Sequence, residues 1–172
     1  MARYPWGVCK IEYTLEGEEA PVIMDLTMED EETTFDSSYE MYSVGVDQMQ
    51  GPYIATISGG ETTFTCSIPL DTETLPKLSN AFVQGQTGLG FTTTGKEFKF
   101  GKLKIHPISA GESTDHDIIG PRVSCIVNSH VEFKKEGKSL ANLTFNFSTD
   151  IAEESPTKGM IFTIGNYTAK SE

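Results

Sequence analysis

From Pro121 to Asp150 apolar and polar positions alternate along the chain almost without a break. Val123, Cys125, Val127, Val131 and Phe133 fall on one face, with Arg122, Ser124, Asn128, His130 and Glu132 on the other. A charged stretch follows, Lys134-Lys135-Glu136-Gly137-Lys138-Ser139. Beyond it Leu143, Phe145 and Phe147 alternate with Asn142, Thr144, Asn146 and Ser148. Successive side chains of an extended chain leave opposite faces, so a period of two predicts two half-buried strands joined by a short polar turn. Glycine in that turn accommodates a positive φ. The pattern is that of a sheet with one wet face. It argues against a buried catalytic helix and against a nucleotide-binding βαβ unit.

The same period recurs upstream. Cys9, Ile11, Tyr13 and Leu15 predict a strand over Gly7–Leu15, Glu16–Glu19 a turn, and Val22, Met24, Leu26 and Met28 a second strand of the same hairpin. Glu29 to Ser38 is acidic, hydroxyl-rich and aperiodic, which reads as a long loop; residues 39–50 either extend it or form a strand. A loop of this length in a compact domain is usually functional or ordered by a partner. Tyr53–Ser58 and Glu61–Leu70 flank Gly59-Gly60, a two-residue hairpin signal. Asp71 or Thr72 can cap a helix that Glu73 favours in its first turn, and Leu75, Leu78 and Phe82 recur at helical spacing before Gly85. Pro76 is tolerated only near the start of such a helix, predicted over about residues 72–84.

Gln86–Gly95 reads as a connection, and Phe98, Phe100, Leu103 and Ile105 as a strand with a bulge at Gly101 that ends at Pro107. Ser109–Gly120 and Ile151–Gly159 read as loops, and Met160–Tyr167 as a closing strand. The expected fold is mainly β: an antiparallel β-sandwich or barrel forming one domain over residues 1–172, with one α-helix and a long early loop.

Composition narrows the function. With 37% apolar residues in 172, a packed interior is expected. No apolar run approaches the roughly 20 residues that span a bilayer, so no membrane insertion is expected. Met1–Trp6 lacks an apolar leader segment, which predicts a cytoplasmic rather than a secretory route. Cys9, Cys66 and Cys125 are odd in number and far apart, and read as core residues rather than a disulfide or zinc framework. The formal charge is −12, from 25 acidic and 13 basic residues, which disfavours a protein that grips nucleic acid. The charge is also uneven. Nine acidic residues and no basic one lie between Glu16 and Asp36, whereas four lysines lie between Lys96 and Lys104 and three more at Lys134, Lys135 and Lys138. Such regions are complementary between two copies of the chain.

Catalytic signals are weak. Asp115-His116-Asp117 resembles a metal or proton-transfer cluster, but no second His or Cys stands at ligand spacing, and a solvated loop is expected. His106, before Pro107, reads as structural, and His130 as exposed on a polar strand face. Gln86-Thr87-Gly88-Leu89-Gly90 follows a predicted helix and lacks the Gly-Lys-Ser/Thr of a phosphate loop. Sequons begin at Asn142, Asn146 and Asn166 but carry no function without a secretory route. No enzyme activity, cofactor or metal is predicted. A rival reading is a monomeric ligand- or carbohydrate-binding β-sandwich with a concave site drawn from Trp6, Tyr39, Tyr42 and Tyr53.

One resemblance covers nearly the whole chain. A strand Lys102-Leu103-Lys104-Ile105-His106-Pro107 precedes a Gly/Asp-containing loop, then an alternating hairpin whose second arm carries Leu143-Thr144-Phe145, then a final segment Ile161-Phe162-Thr163-Ile164-Gly165-Asn166. This order resembles the tail tube proteins of long-tailed bacteriophages. The resemblance implies a sandwich or barrel shared with type VI secretion tubes. It further implies homohexameric rings stacked into a hollow tube, with two hairpins per copy lining a continuous inner barrel. It implies a structural, non-catalytic subunit of the virion tail, assembled in the host cytoplasm, with tape-measure and tail-tip proteins as partners and DNA passing through without specific binding. The long loop reaching neighbouring subunits would be Glu29–Gln50, which makes Glu29, Asp30, Glu31, Glu32, Tyr39 and Tyr42 interface candidates. Lys134, Lys135 and Lys138 would meet the acidic 16–36 segment of a neighbour rather than the lumen.

Overall fold

The computed structural model describes residues 5, 7–25, 27, 31–45 and 52–168, with the backbone alone at Pro52 and Tyr53. The core is carried by one curled antiparallel sheet. Strand β1 (Cys9–Leu15) pairs with β2 (Val22–Met24), so the predicted first hairpin is present. Leu26 and Met28, expected to continue it, lie outside the described residues. Next come β3 (Thr34–Ser37), β4 (Glu40–Gly45), β5 (Pro52–Gly59) and β6 (Thr62–Pro69). A short helix α1 (Leu75–Leu78) leads to β7 (Phe82–Gln84) and β8 (Leu89–Phe91). Then β9 (Gly101–Pro107), β10 (Ile118–Val131), β11 (Ser139–Phe147) and β12 (Thr163–Ile164) complete the chain. The main sheet runs β2-β1-β9-β10-β11-β6-β3, with β12 also on β10; β4-β5 and β7-β8 form separate two-stranded sheets.

The alternating positions fill the core. Ile11, Tyr13, Leu15, Phe64, Cys66, Ile68, Val123, Cys125, Leu143, Phe145 and Phe147 are buried in one cluster with Leu75 and Leu78 of the helix. Phe145 packs between Tyr13 and Phe64, at ring-centroid distances of 5.3 and 5.9 Å. The Tyr13 hydroxyl is not orphaned by burial: it donates to the Val123 carbonyl at 3.2 Å. Burial pushes the Tyr13 phenol well above its ordinary range and the Cys66 thiol up to about 12. All three cysteines are free, and Cys66 and Cys125 are inert packing residues.

Several sequence expectations require correction. The aperiodic Glu29–Ser38 segment is not wholly a loop, since Thr34–Ser37 forms β3 on the edge of the main sheet. Its hydroxyls explain why: Thr34 bonds Thr65 at 2.9 Å and Ser37 bonds Thr62 at 3.0 Å, cross-strand contacts that hydrophobic periodicity does not report. Gly59-Gly60 does not turn a hairpin between β5 and β6, which belong to different sheets.

The helix is four residues, not residues 72–84. Its N-cap is Thr74, without a capping side-chain bond, rather than Asp71 or Thr72; Asp71 accepts from the Glu73 amide and the Thr74 hydroxyl in the preceding turn, Ser79 is extended and Phe82 lies in β7. The expected bulge at Gly101 sits instead in the facing strand, where Pro121 and Arg122 oppose the single residue Lys102. Phe98 and Phe100 precede the strand rather than belong to it, Gln86–Gly95 contains β8, and the closing strand shrinks to Thr163–Ile164.

The loop carrying Asp115-His116-Asp117 is not simply solvated. Asp117 is fully buried; its carboxylate lies 2.6 Å from His106 Nδ1 and 3.1 Å from Lys104 Nζ, and His106 Nε2 donates to the Gly111 carbonyl at 2.8 Å. This buried cluster pins the loop to β9, in keeping with a structural His106.

Candidate functional site

The feature that the core does not explain is an arm. Strands β3 and β6 pair in the register Thr34↔Thr65 to Ser37↔Thr62, the Ser38 amide donates to the Glu61 carbonyl, and the same register reaches Glu40↔Gly59. β3–β4 and β5–β6 are therefore two legs of one long hairpin. Its base is built into the main sheet, and its outer part, β4–β5, projects beyond it.

Gly59-Gly60 lies at the joint. Gly59 has φ +154, and a Cβ on Gly60 would stand 2.0 Å from the Ser38 carbonyl oxygen. The glycines allow the two legs to approach and change direction. Just beyond, Ser58 bulges out between the pairs Glu40↔Gly59 and Met41↔Ile57, which re-aims the arm.

Among the described residues, nothing covers either face of the arm. Registered residues share a face, so Met41 and Ile57 lie on one side and Tyr42, Val44 and Ile54 on the other. All five are exposed; Tyr42 is at 64%, Ile57 at 70%, and Tyr39 at the joint at 75%. Large apolar groups on both faces of a strand ordinarily mean burial on both sides. The sequence carried that signal in Met41, Val44, Ile54 and Ile57, which the period-two reading passed over.

A second incomplete element is the lower half of the β10–β11 hairpin. β9 pairs with β10 only as far as Val123, whereas β11 pairs with it from Val123 to Val131. Among the described residues, Ser124–Val131 thus has a strand neighbour on one side only. Its predicted apolar face also outruns the core: Val131 is exposed, and Phe133 at the tip is 98% exposed. No protein-family profile matches the chain, and no curated protein matches it either. What the arm and the open edge do must be read from their own chemistry.

The predicted interface residues divide between these elements. Tyr39 and Tyr42 stand on the arm and its joint. Glu31 and Glu32 are exposed ahead of β3, at the end of that strand away from the arm and toward the β10–β11 tip, while Glu29 and Asp30 lie outside the described residues. Lys134, Lys135 and Lys138 are exposed at the β10–β11 tip. Lys134 pairs with Glu132 at 2.8 Å, and the Lys138 amide donates to the same carboxylate; the Lys134 ammonium first, then that amide, holds the Glu132 carboxyl below its usual range. Glu31 shares a shallow groove with Lys134 and Lys138 of its own copy, so this part of the acidic segment is not reserved for a neighbour.

Of the aromatics proposed for a sugar platform, Tyr39 and Tyr42 are described with their side chains. Trp6 and the Tyr53 side chain lie outside the described residues, and Tyr39 and Tyr42 project with the arm. A groove of about 600 Å³ lies beside Phe100, but the Arg122 guanidinium stacks on that ring at 3.7 Å.

Proposed function

We propose that the chain is a structural subunit that assembles with its own copies into a hollow tube, in the manner of phage tail tubes, through which DNA passes without specific binding. The observation that carries this reading is the uncovered arm. A lone two-stranded hairpin is at best marginally stable in water, and exposed apolar groups in this number mark an interaction surface. The open edge of Ser124–Val131 supports the same reading, because lateral pairing with a neighbouring copy removes an edge that otherwise invites unregulated aggregation. The outer face of β10–β11 carries Ser124, Asn128, His130, Asn142, Thr144 and Asn146. Facing a lumen, these side chains offer weak hydrogen bonds, and a net charge of −12 repels phosphate. In this arrangement the lysines of the hairpin tip stay out of the channel.

Negative-stain electron microscopy of the purified protein, beside a sizing run, tests the proposal. Hollow rings or tubes are the expected result, on concentration or on addition of tail-tip proteins. A chain that stays monomeric under both conditions overturns it.

A further inference from the structure

The arm and the β10–β11 tip leave opposite ends of the same sheet. The arm departs where β6 begins, at Thr62; the tip lies beyond Leu140, which pairs with Pro69 at the other end of β6. Seven residue steps along β6 separate these levels by about 23 Å. Within one copy neither covers the other, since Phe133, Tyr42 and Ile57 all stay exposed. Their chemistry nonetheless matches. No Lys or Arg occurs between Lys10 and Lys77, so the arm and its base carry only acidic charge, with Asp36, Glu40 and Glu61 exposed beside Tyr39, Tyr42 and Ile57. The tip presents an almost fully exposed Phe133 beside Lys134, Lys135 and Lys138.

We infer that the β10–β11 tip of one copy, led by Phe133 and its lysines, seats against the β4–β5 arm of a second copy. The contact joins two different surfaces at opposite ends of the molecule, so in a head-to-tail arrangement each copy added leaves a fresh arm at one end and a fresh tip at the other. A two-fold dimer that made the contact twice would leave neither free and would stop at two copies, which its size tells apart from continued growth. The inference rests on the self-assembly reading and adds to it the contact that gives the assembly its direction.

Complementation between two defective variants tests it. One is Tyr42→Arg/Ile57→Arg, with a spoiled arm and an intact tip; the other is Phe133→Asp/Lys135→Glu, with a spoiled tip and an intact arm. All four positions are exposed, so both variants are expected to keep the wild-type far-UV circular dichroism spectrum, which is checked first. Each alone is expected to stop at the species that lateral pairing of the Ser124–Val131 edges allows, and the 1:1 mixture to add a single tip-to-arm step and grow no further in analytical ultracentrifugation, while wild type polymerises. If the tip variant by itself reaches wild-type sizes, or the mixture is no larger than either variant alone, the tip-to-arm contact is wrong and the assembly reading survives. If the wild type never assembles, both fall.

Discussion

At the residue scale, two positions show how local chemistry sets the shape of the molecule. Gly60 admits no Cβ, because the Ser38 carbonyl occupies that space. Gly60→Ala is therefore expected to force the two legs apart at the joint and to cost about 1–3 kcal/mol, read as a lower urea midpoint. Asp150 organises the Asp150–Met160 loop: its carboxylate accepts from the Ser155 and Thr157 hydroxyls and the Ala152 amide, which hold its pKa below the usual carboxylate value. A carboxyl with a depressed folded-state pKa adds stability above its unfolded value of about 3.9 and loses it as pH falls through the folded value. Asp150→Asn is therefore expected to be less stable than wild type at pH 7. The two stabilities should converge in denaturation series taken below about pH 4. The Gly-Gly pair was visible in the sequence, but its role was not. Two glycines signal close backbone approach equally at a turn and at a joint, and the partner strand decides which.

At the element scale, burial separates the two halves of the β10–β11 hairpin although their patterning is continuous. Phe145→Ala removes the ring that joins Tyr13 to Phe64 and is expected to cost about 3–5 kcal/mol in chemical denaturation. Phe133→Ala, on the same alternating pattern, is expected to leave the denaturation midpoint unchanged, since that ring covers nothing within its own copy. A midpoint lowered by more than about 1 kcal/mol at Phe133 would mean that the tip packs against its own subunit. Sequence periodicity identified both strands and their inward faces. It did not show where the core ends, because a half-buried strand and its overhanging continuation share one alternation. The helix shows the converse. Leu75 and Leu78 satisfied a helical spacing and are buried, but Phe82 is taken by a strand pairing with Phe91, and tertiary pairing overrode the local pattern.

At the scale of the whole molecule, an acidic arm and a lysine-bearing tip at opposite ends make association sensitive to ionic strength. Raising NaCl from about 50 mM to about 500 mM shortens the screening length and is expected to raise the protein concentration needed for assembly about 2- to 5-fold. Sedimentation across a salt series reads this directly, and assembly unchanged by salt would assign the contact to apolar burial alone. By itself the sequence determined the class of fold, most strand positions, the inward residues of β1, β6, β10 and β11, and the separation of acidic from basic segments. These follow from a side-chain period of two and from composition, which are local properties of the chain. Only the tertiary structure decided that β3–β4 and β5–β6 are legs of one hairpin, that Asp117 is buried against His106 and Lys104, and that arm and tip stand at opposite ends. Each of these depends on which strands become neighbours and in what register, and register is fixed by contacts between residues far apart in the chain.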